Sequence, residues 1–394
     1  MATTFQSSIS PPLERSSQLS GKVIVQILPE LEKGGVERGT IEMAAAITAA
    51  GGRAIVISHG GALVARLQRV GGEHYNLPVH SKNPLKWPGI RRKVRQILKL
   101  TGADLVHIRS RAPAWIAMPA ARSLGIPVVT TIHGRFRREN PLKNVYNGKL
   151  LKSDRVIAIS NHIHQQVVDV FPQMREKMKI IHRGVDTDVF SPDKVTAQRV
   201  IRMAEKLAAP DDIPIIVLPA RPTVWKGAHV LIEAAAHITD EHFMILLVGA
   251  LDGSPEFQKG LISTIEKVNM TSRVRLCESV DDMAAMLMLA DVVAMPSLTP
   301  EPFGRVAIEA SAMGCPVVAF NHGGARESII DGVTGWLAEP VEVLSLAACL
   351  RKALGLKTAA RKKLSAEARK MVQSRFTTTR MCADTIAVYA DLLK

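Results

Sequence analysis

Two glutamates, Glu301 and Glu309, stand eight residues apart in the stretch P-E-P-F-G-R-V-A-I-E-A-S-A-M-G, which occupies residues 300–314. Glu301 lies in a proline-flanked loop, whereas Glu309 lies among small and apolar residues that are typical of a packed helix. A helix rises about 1.5 Å per residue, so we expect the two carboxylates to lie about 10 Å apart. A hydrolase pair needs about 5 to 9.5 Å. The spacing therefore predicts two groups that hold one elongated ligand, and not an acid and a base on either side of one bond.

Two glycines frame the helix that carries Glu309. Gly304 stands at its predicted start, where the lack of a side chain lets an anion approach the backbone N–H groups of Arg305 and its neighbours. Gly314 stands where a glycine commonly ends a helix. The stretch thus predicts an anion-binding turn that is followed by a short packed helix.

Further residues with polar side chains or with special backbone freedom follow the predicted strands. In open parallel sheets, ligands bind at the carboxyl ends of the strands. If two such sheets face each other, we expect both sets of residues to line one cleft. The first half of the chain contributes Gly34, Gly35, Arg109, Arg111, His133 and Gly134, and the second half contributes Arg221, Lys226, Gly249, residues 297–304, Gly323 and Gly324.

Short β-branched and apolar runs alternate with helix-length segments along most of the chain, a pattern that indicates parallel, doubly wound α/β sheets. The runs fall into two series, so we predict an α/β fold of two Rossmann-like domains that face each other across a cleft. The first series lies at residues 22–28, 54–58, 75–78, 105–108, 128–132, 155–159 and 179–181, and the second at 213–218, 243–248, 274–277, 291–295 and 316–320.

The length of 394 residues also favours two domains. We expect a disordered lead rich in Ser, Thr and Pro at residues 1–20, with no apolar run that would suit a signal peptide, and a first domain at 21–190. The second domain is expected at 191–375, with residues 190–212 as the linker and crossover. A helical pattern at 376–394 is expected to pack back on the first domain.

The net charge of +15 is distributed unevenly. Residues 51–150 hold 18 Lys and Arg against 3 Asp and Glu, a net charge of +15, whereas residues 201–350 hold 10 against 19, a net charge of −9. The first half is therefore suited to an anionic acceptor or an anionic membrane surface. Few aromatic residues are interleaved with the basic ones, which argues against nucleic-acid binding by base stacking.

Residues 84–100 show an amphipathic helix pattern, with apolar residues on one face and basic residues around the rest. Two interpretations fit this pattern. The helix can lie in the headgroup region of an anionic bilayer, or it can pack its apolar face on the core and leave the basic side in solvent. The apolar face consists of Trp87, Ile90, Val94 and Ile97.

Several classes of site and protein are disfavoured by the sequence. The cysteines lie far apart, which argues against a disulfide framework or a zinc site and fits a reducing compartment. No uninterrupted apolar stretch approaches the roughly 20 residues of a membrane span. D-T-D at residues 186–188 could suggest a divalent metal, but a capped turn is the better interpretation, and we predict neither a metal nor a cofactor. The cysteines are Cys277, Cys315, Cys349 and Cys382.

In their order and spacing, several motifs resemble those of glycosyltransferase family 4, the retaining, nucleotide-sugar-dependent enzymes of the GT-B fold. The resemblance spans about residues 22–390, and each motif alone would be weak evidence. The motifs are G-G-V-E-R (34–38), T-I-H-G (131–134), R-G-V-D-T-D-V-F (183–190), A-R-P-T-V-W-K-G (220–227), P-S-L-T-P-E-P-F-G-R-V-A-I-E (296–309), G-C-P-V-V-A (314–319) and G-G-A-R-E (323–327).

The resemblance implies roles for the matching residues of the second domain. Arg221 and Lys226 would neutralise the departing nucleotide diphosphate, where fixed positive charge stabilises a developing negative charge. Glu309 would bind both hydroxyls of the nucleotide ribose. Glu301 would hold the transferred sugar, helped by backbone N–H groups of Phe303, Gly304 and Arg305.

In the first domain, the resemblance implies that His133 hydrogen-bonds a sugar hydroxyl near the anomeric centre and the acceptor. Gly34 and Gly35 would let a loop approach the phosphates without a Cβ in the way. Basic residues of this domain would contact a phosphate or a carboxylate of the acceptor. Those that we single out are Arg109, Arg111, Arg135, Arg137 and Arg138.

The resemblance, together with the basic first half, therefore implies a retaining transferase that moves a hexose from a nucleotide-diphosphate sugar to a lipid-linked or anionic glycan acceptor, without a protein nucleophile. R-S-R-A-P-A-W (109–115) and S-K-N-P-L (81–85) are similar to bacterial envelope transferases that extend a lipopolysaccharide core, and GDP-mannose is one donor to consider. We expect a cytoplasmic protein that associates peripherally with the inner face of the cytoplasmic membrane. A sugar-nucleotide epimerase of the same fold and a nucleic-acid-binding protein are the alternatives.

Overall fold

The computed structural model describes residues 17–32, 34–136 and 140–394, and the chain divides into two compact units. The first unit contains the described residues up to Arg183 together with Thr378–Lys394, and the second contains Gly184–Thr377. Most of the expected lead lies outside the described residues, as do Arg137 and Arg138 of the predicted acceptor side.

The first unit is built on one parallel sheet of seven strands. Helices cover such a sheet on both faces, so its strands read as nearly continuous apolar runs. The strands are β1 (Val23–Ile27), β2 (Arg53–Ser58), β3 (Glu73–Asn76), β4 (Leu105–Ile108), β5 (Val128–Ile132), β6 (Arg155–Ala158) and β7 (Met178–Ile180), in the sheet order β3-β2-β1-β4-β5-β6-β7.

The helices of the first unit connect successive strands and bury their apolar sides on the sheet. Leu28, Ile47 and Val56 are fully buried and belong to one cluster that joins strand and helix residues. The helices are α1 (Gly35–Ala49), α2 (Val64–Arg69), α3 (Trp87–Thr101), α4 (Arg111–Arg122), α5 (Pro141–Gly148) and α6 (Asn161–Val170).

The amphipathic helix α3 packs its apolar face on its own unit. Ile90, Val94 and Leu98 are buried, and α3 lies against α4. The Trp87 ring stacks on Trp115 of α4 with ring centroids 5.6 Å apart. This apolar face is therefore not available to a bilayer. The interpretation that it packs on the core is correct.

The second unit contains a parallel sheet of six strands. The prediction of two parallel α/β sheets is thus confirmed, although the last strand was missed. The strands are β8 (Ile215–Pro219), β9 (Met244–Val248), β10 (Val274–Cys277), β11 (Val292–Met295), β12 (Val317–Phe320) and β13 (Gly335–Ala338), in the sheet order β10-β9-β8-β11-β12-β13.

The helices of the second unit include one inside the segment that was predicted to be a linker. Residues 197–207 of that segment form an amphipathic helix that buries Met203 and Leu207, so the linker interpretation was wrong for them. The helices are α7 (Ala197–Leu207), α8 (Ala228–Ala236), α9 (Pro255–Lys267), α10 (Met283–Leu289), α11 (Arg305–Ala312), α12 (Ala325–Ser328), α13 (Val343–Leu354) and α14 (Thr358–Arg375).

The last helix, α15 (Thr378–Leu392), belongs to the first unit, where it packs on α1. Met381, Ile386 and Tyr389 are buried in the same apolar cluster as the sheet residues of that unit. The Tyr389 hydroxyl lies 2.5 Å from Nδ1 of His107 on β4. The C-terminal helix is therefore tied to the centre of the first sheet.

None of the helices in the described ranges combines the length and the apolar character that a membrane span requires. All four cysteines are buried with free thiols. Burial raises the pKa of Cys315 to about 12, so this thiol stays protonated and unreactive at neutral pH.

Candidate active site

The strand order of the second sheet reverses between β8 and β11. β9 and β10 lie on one side of β8, and β11 to β13 lie on the other. The loops after β8 and β11 therefore leave the sheet in different directions, which creates the crevice where open α/β sheets bind ligands. The first of these loops carries Arg221 and Lys226, and the second carries Glu301.

The two loops are packed against each other at a glycine. Gly227 follows the 3-10 turn Val224–Lys226 with a φ of 77°, and a Cβ added to it would lie 1.9 Å from the carbonyl oxygen of Pro296. The N–H of Leu298 donates to the carbonyl of Trp225 at 2.8 Å. Glycine is required at this position both by its φ and by the neighbouring carbonyl.

Lys226 and Glu301 form an ion pair at the centre of the two loops. Lys226 Nζ lies 2.6 Å from Glu301 Oε1, and the Ser297 hydroxyl donates to the same oxygen at 2.5 Å. The two charged side chains are only 16% and 14% exposed, so salt screens this pair less than a surface pair. Lys226 Nζ also lies 4.5 Å from the centroid of the Trp225 ring, within the range of a cation–π interaction.

The start of α11 lies beside this pair in sequence. Gly304 has a φ of 90° and directly precedes the helix, as the sequence predicted. The Phe303 ring is buried and meets Phe376 edge-on at 5.6 Å, so this side chain anchors the turn. Glu309 is buried on the same helix, where Arg305 Nη2 donates to its Oε1 at 3.2 Å.

The loop after β12 packs against the backbone of Glu301. A Cβ on Gly323, whose φ is 61°, would lie 2.7 Å from the Glu301 carbonyl oxygen, and the Gly324 N–H donates to that oxygen at 2.8 Å. His322 Nε2 lies 2.8 Å from the Ser297 carbonyl oxygen and must be the donor there. Sequence reasoning assigned no role to His322. In the structure its ring contacts the backbone of Ser297, whose hydroxyl donates to Glu301.

Arg221 lies two residues after the end of β8 at Pro219, and its side chain is exposed. The Thr223 N–H donates to the Arg221 carbonyl at 2.8 Å, which makes the loop turn sharply towards Lys226. A Cβ on Gly249, after β9, would lie 2.5 Å from the carbonyl oxygen of Ala220, so this loop too packs against its neighbour. A guanidinium on such a fixed loop can form a bidentate contact with a phosphate.

The first sheet reverses its strand order between β1 and β4. Gly34 and Gly35 follow β1, and α1 begins at Gly35. Gly34 has a φ of 178°, an extended conformation that any residue can adopt, so the backbone does not demand glycine there. The buried guanidinium of Arg183 donates to the Gly35 carbonyl and fixes the start of α1.

His133 follows β5 and is neutral at pH 7. Its Nε2 is buried and has no hydrogen-bond partner among the described residues. Burial, followed by the charges of Arg183 and Arg109 and by His107, holds the pKa of His133 well below its ordinary value. A neutral ring nitrogen of this kind can donate a hydrogen bond to a ligand hydroxyl or accept one from it, depending on the tautomer.

Arg109 lies in the interior of the first unit, only 4% exposed. Its Nη1 donates to the side chain of Gln26 and, at 3.3 Å, to the carbonyl of Gly39. Burial lowers the pKa of Arg109. Its guanidinium is therefore part of a buried polar cluster and does not contribute to a basic surface, in contrast to the sequence expectation of an acceptor contact.

His107 extends this cluster across the sheet. Its Nε2 lies 2.7 Å from Thr131 Oγ1, two residues before His133, and its Nδ1 contacts Tyr389. Burial holds the pKa of His107 well below its ordinary value. Sequence reasoning missed this residue, yet a signal was present, because His107 interrupts the apolar strand L-V-H-I as Gln26 interrupts V-I-V-Q-I.

Two other predicted acceptor residues lie together after strands β4 and β5. Arg111 Nη2 donates to the carbonyl of Arg135 at 2.6 Å, and both residues are half-buried. Of the predicted basic acceptor residues within the described ranges, these two retain partial access to solvent.

The D-T-D sequence forms a capped turn, in agreement with the preferred interpretation. Asp186 Oδ1 accepts hydrogen bonds from the N–H groups of Asp188 at 2.9 Å and Val189 at 3.3 Å. Within the described parts of the chain, His, Cys, Asp and Glu side chains form no group of three or more that could hold a metal ion.

Both units match models of known protein families. Residues 33–189 match the model described as Glycosyltransferase Family 4, and residues 201–371 match the model described as Glycosyl transferases group 1. Together the two matched ranges include the loops of both sheets that are described above.

Curated relatives of the chain are named D-inositol 3-phosphate glycosyltransferase. The relative from Xylanimonas cellulosilytica is 30% identical, with 74% of this chain and 72% of the relative aligned. The relatives from Mycolicibacterium smegmatis and Mycobacterium tuberculosis are 29% identical, and the alignments cover 62% and 52% of their lengths. The chain thus spans between half and three quarters of the length of these relatives.

Solved structures resemble the chain over nearly its full length. A glycosyltransferase from Rickettsia africae is 34% identical, with a TM-score of 0.88 over 95% of this chain and 99% of that chain. Anabaena HepE in complex with UDP-glucose is 24% identical, with a TM-score of 0.81 over 94% and 99%. WaaG, a glycosyltransferase involved in lipopolysaccharide biosynthesis, is 17% identical, with a TM-score of 0.72 over 93% and 99%. The last two likenesses establish the GT-B fold alone.

Proposed function

The chain belongs to glycosyltransferase family 4, and from this membership we propose that it transfers a hexose from a nucleotide-diphosphate sugar to an anionic or membrane-associated glycan acceptor. The observation that carries the proposal is the convergence of Arg221, Lys226 and Glu301 on the two loops that flank the strand-order reversal of the second sheet. Two cations on one loop and a carboxylate on the adjoining loop suit a ligand with a diphosphate at one end and hydroxyl groups at the other.

In this proposal, Arg221 and Lys226 bind the diphosphate of the donor. Breaking the bond between sugar and phosphate moves negative charge onto the diphosphate, and fixed cations lower the free energy of that transition state. They supply the positive charge that a divalent metal would otherwise supply, so the proposed reaction uses neither a metal nor a cofactor.

The two glutamates bind the ends of the donor. Glu301 accepts a hydrogen bond from a hydroxyl of the hexose, and Glu309 accepts hydrogen bonds from the ribose hydroxyls. Backbone N–H groups from Phe303 to Arg305 complete the site at the start of α11, where the helix dipole favours an anion. The buried positions of Phe303 and Glu309 support this assignment, because they hold the turn in one conformation.

We propose that the configuration at the anomeric carbon is retained. The diphosphate leaves from the face on which the acceptor attacks and takes the proton of the attacking hydroxyl, so no protein nucleophile is needed. The neutral His133 supports this assignment, since it can orient a sugar hydroxyl without adding charge.

The acceptor is proposed to be anionic and to belong to the cell envelope, for example a lipopolysaccharide core. The net charge of +15 between residues 51 and 150 supports an anionic acceptor. The curated relatives are named for D-inositol 3-phosphate, which carries a phosphate. Arg111 and Arg135 are the partly exposed basic residues that we assign to the acceptor side.

We also propose that the first unit docks on an anionic membrane from the cytoplasmic side. The apolar face of α3 is buried, so the contact is made by its exposed basic face, which includes Arg92 and Lys93. Leu85, just before this helix, is 89% exposed and can enter the headgroup region. Basic residues near an anionic bilayer each contribute about 1 kcal/mol of attraction.

The proposed function is tested by incubating the purified protein with UDP-glucose or GDP-mannose, with and without acceptors such as inositol phosphate and lipopolysaccharide core. We expect nucleotide release that depends on the acceptor, and a product with the anomeric configuration of the donor. Conversion of the donor without an acceptor would instead support an epimerase. Salt-sensitive binding to nucleic acid without any donor binding would support the nucleic-acid alternative.

A further inference from the structure

We propose that the ion pair between Lys226 and Glu301 makes the second unit select a sugar-bearing donor over the free nucleoside diphosphate that remains after transfer. The inference rests on the proposed function, because it requires the diphosphate to bind at Lys226. In this account Glu301 has a second role besides holding the sugar: it weakens the binding of the product.

The geometry holds the carboxylate of Glu301 beside the ammonium of Lys226. Glu301 Oε1 accepts hydrogen bonds from both Lys226 Nζ and the Ser297 hydroxyl, at 2.6 Å and 2.5 Å. Ser297 is buried, and His322 donates to its carbonyl. The backbone carbonyl of Glu301 is held by the N–H of Gly324. Both the main chain and the side chain of Glu301 are therefore positioned by neighbouring loops.

A diphosphate that binds Lys226 must share the ammonium with Glu301. It also brings negative charge close to a carboxylate that is only 14% exposed, so the repulsion is weakly screened. When the ligand carries a hexose, a hydroxyl of the sugar donates to Glu301. This hydrogen bond compensates in part for the weakened ion pair between Glu301 and Lys226, because hydrogen bonds to a charged acceptor are strong.

The free nucleoside diphosphate lacks this compensation. It has no sugar hydroxyl to donate to Glu301, and its terminal phosphate carries more negative charge than the esterified phosphate of the donor. Glu301 therefore opposes the product more than it opposes the donor. Transfer of the sugar removes the group that made the two negative charges compatible, which favours release of the diphosphate.

The test compares the binding of UDP and UDP-glucose, and of GDP and GDP-mannose, by isothermal titration calorimetry. The Glu301→Gln variant keeps the size of the side chain and removes its charge. We expect the free diphosphate to bind about tenfold more tightly to this variant than to the wild type, a gain of about 1.4 kcal/mol. The sugar nucleotide should bind no more tightly, so that the preference for the donor falls at least tenfold.

A matched control separates this effect from a general change in charge. Asp240→Asn removes the same charge from another ion pair of the second unit, in which Arg351 Nε lies 3.0 Å from Asp240 Oδ1. The Arg351 side chain lies in α13 and is 46% exposed, and the Asp240 side chain precedes β9 and is 60% exposed. Neither residue belongs to the loops after β8 and β11. The control variant should bind all four nucleotides as the wild type does.

A second variant shows whether the gain acts through the ammonium. In the Lys226→Met background, Glu301→Gln should bring a clearly smaller gain in affinity for the free diphosphate, because there is no longer an ammonium to release. The proposal is overturned if Glu301→Gln weakens the free diphosphate and the sugar nucleotide equally, or if it leaves both unchanged in a protein whose thermal melting is normal. Failure of the wild type to bind either nucleotide pair would overturn the proposed function, and this outcome is visible before any variant is made.

Discussion

Two charged pairs of the proposed donor site are formed by the protein's own side chains. Lys226 contacts Glu301 across 75 residues of sequence, and Arg305 contacts Glu309 across one turn of α11. Removal of one partner of such a pair leaves a charge without compensation in a poorly solvated place. Effects on catalysis must therefore be separated from effects on folding, and neutral substitutions of similar size are the most informative.

Lys226→Met should lower the rate of sugar transfer by about 10² to 10³-fold, the loss typical of a group that stabilises developing negative charge. The reason is that the leaving diphosphate loses one of its two proposed cations, while the apolar stem of the side chain is kept. The measurement is steady-state turnover together with the melting temperature. Lys259→Met, at an exposed position of α9, is the control and should be fully active. Wild-type turnover in the Lys226 variant would contradict the role of this residue.

The buried His107 should make the first unit less stable as the pH falls. Above pH 6.5 the residue is neutral in the folded and in the unfolded chain. Below that pH the unfolded chain takes up a proton that the folded chain does not, because burial holds the folded pKa well below its ordinary value. Stability should therefore fall by up to about 1.4 kcal/mol per pH unit below pH 6.5, until the folded pKa is reached.

Hydrogen exchange of the β4 and β5 peptides between pH 7 and pH 5, corrected for the intrinsic exchange rates, measures this slope. His107→Gln should make the slope less steep by up to about 1.4 kcal/mol per pH unit, although it also lowers the stability at pH 7, and His133 should keep its own contribution to the slope. Thr131→Val removes a hydrogen bond of His107 but keeps the titrating ring, so this control should keep the slope of the wild type. An unchanged slope in the His107 variant would contradict the assignment.

At the scale of secondary structure elements, the two strand-order reversals explain why the distinctive residues come together. In the second sheet, the loops after β8 and β11 touch at Gly227, and the loop after β12 touches Glu301 at Gly323. Because each contact places a glycine Cα against a carbonyl group, the loops have little room for a side chain. The site thus depends on close packing between loops as much as on its charged residues.

Gly227→Ala should destabilise the second unit by more than about 2 kcal/mol. The added Cβ would lie 1.9 Å from the Pro296 carbonyl oxygen, at a φ that L residues rarely adopt. Gly260→Ala is the control, since this glycine lies inside α9 with open space around its Cα and the change should leave stability equal or up to about 1 kcal/mol higher. Thermal unfolding measures both. Equal melting temperatures for Gly227→Ala and the wild type would contradict the packing of the two loops.

Most elements could be predicted from the sequence because parallel strands are apolar runs between helices. β4, β5 and β10 have the predicted bounds. β13 was missed because G-W-L-A is short and begins with glycine, and α7 was missed because charged residues interrupt its apolar pattern and it follows a proline-containing segment. The residue types of the site were also accessible, but the contact of Lys226 with Glu301 was not, because no local pattern connects residues 75 positions apart.

At the scale of the whole molecule, positive charge is concentrated on the first unit. The window 51–150 alone carries a net charge of +15, whereas 201–350 carries −9. The sequence predicted this distribution and two possible uses of the amphipathic pattern at α3. Which face of α3 is buried depends on its packing against α4, and so the structure was needed to show that the apolar face is buried and the basic face is exposed.

Reversal of two charges on the exposed face of α3, Arg92→Glu with Lys93→Glu, should abolish most binding to anionic vesicles. Each basic residue near the bilayer contributes about 1 kcal/mol, so the change should weaken binding at least tenfold. Flotation with vesicles of phosphatidylglycerol and phosphatidylcholine at low salt is the measurement. The same change at the exposed pair Lys362 and Lys363 of α14 is the control and should bind as the wild type. Equal vesicle binding by the two variants would contradict membrane docking through the basic face of α3.

The central claim, that a nucleotide sugar binds at the loops after β8 and β11, is tested most directly by hydrogen exchange with mass spectrometry in the presence of UDP-glucose or GDP-mannose. We predict that one of these donors protects the backbone amides of residues 220–227 and 296–309, and that Lys226→Met removes the protection. Protection that is confined to other segments, or that is undiminished in the Lys226 variant, would contradict the account.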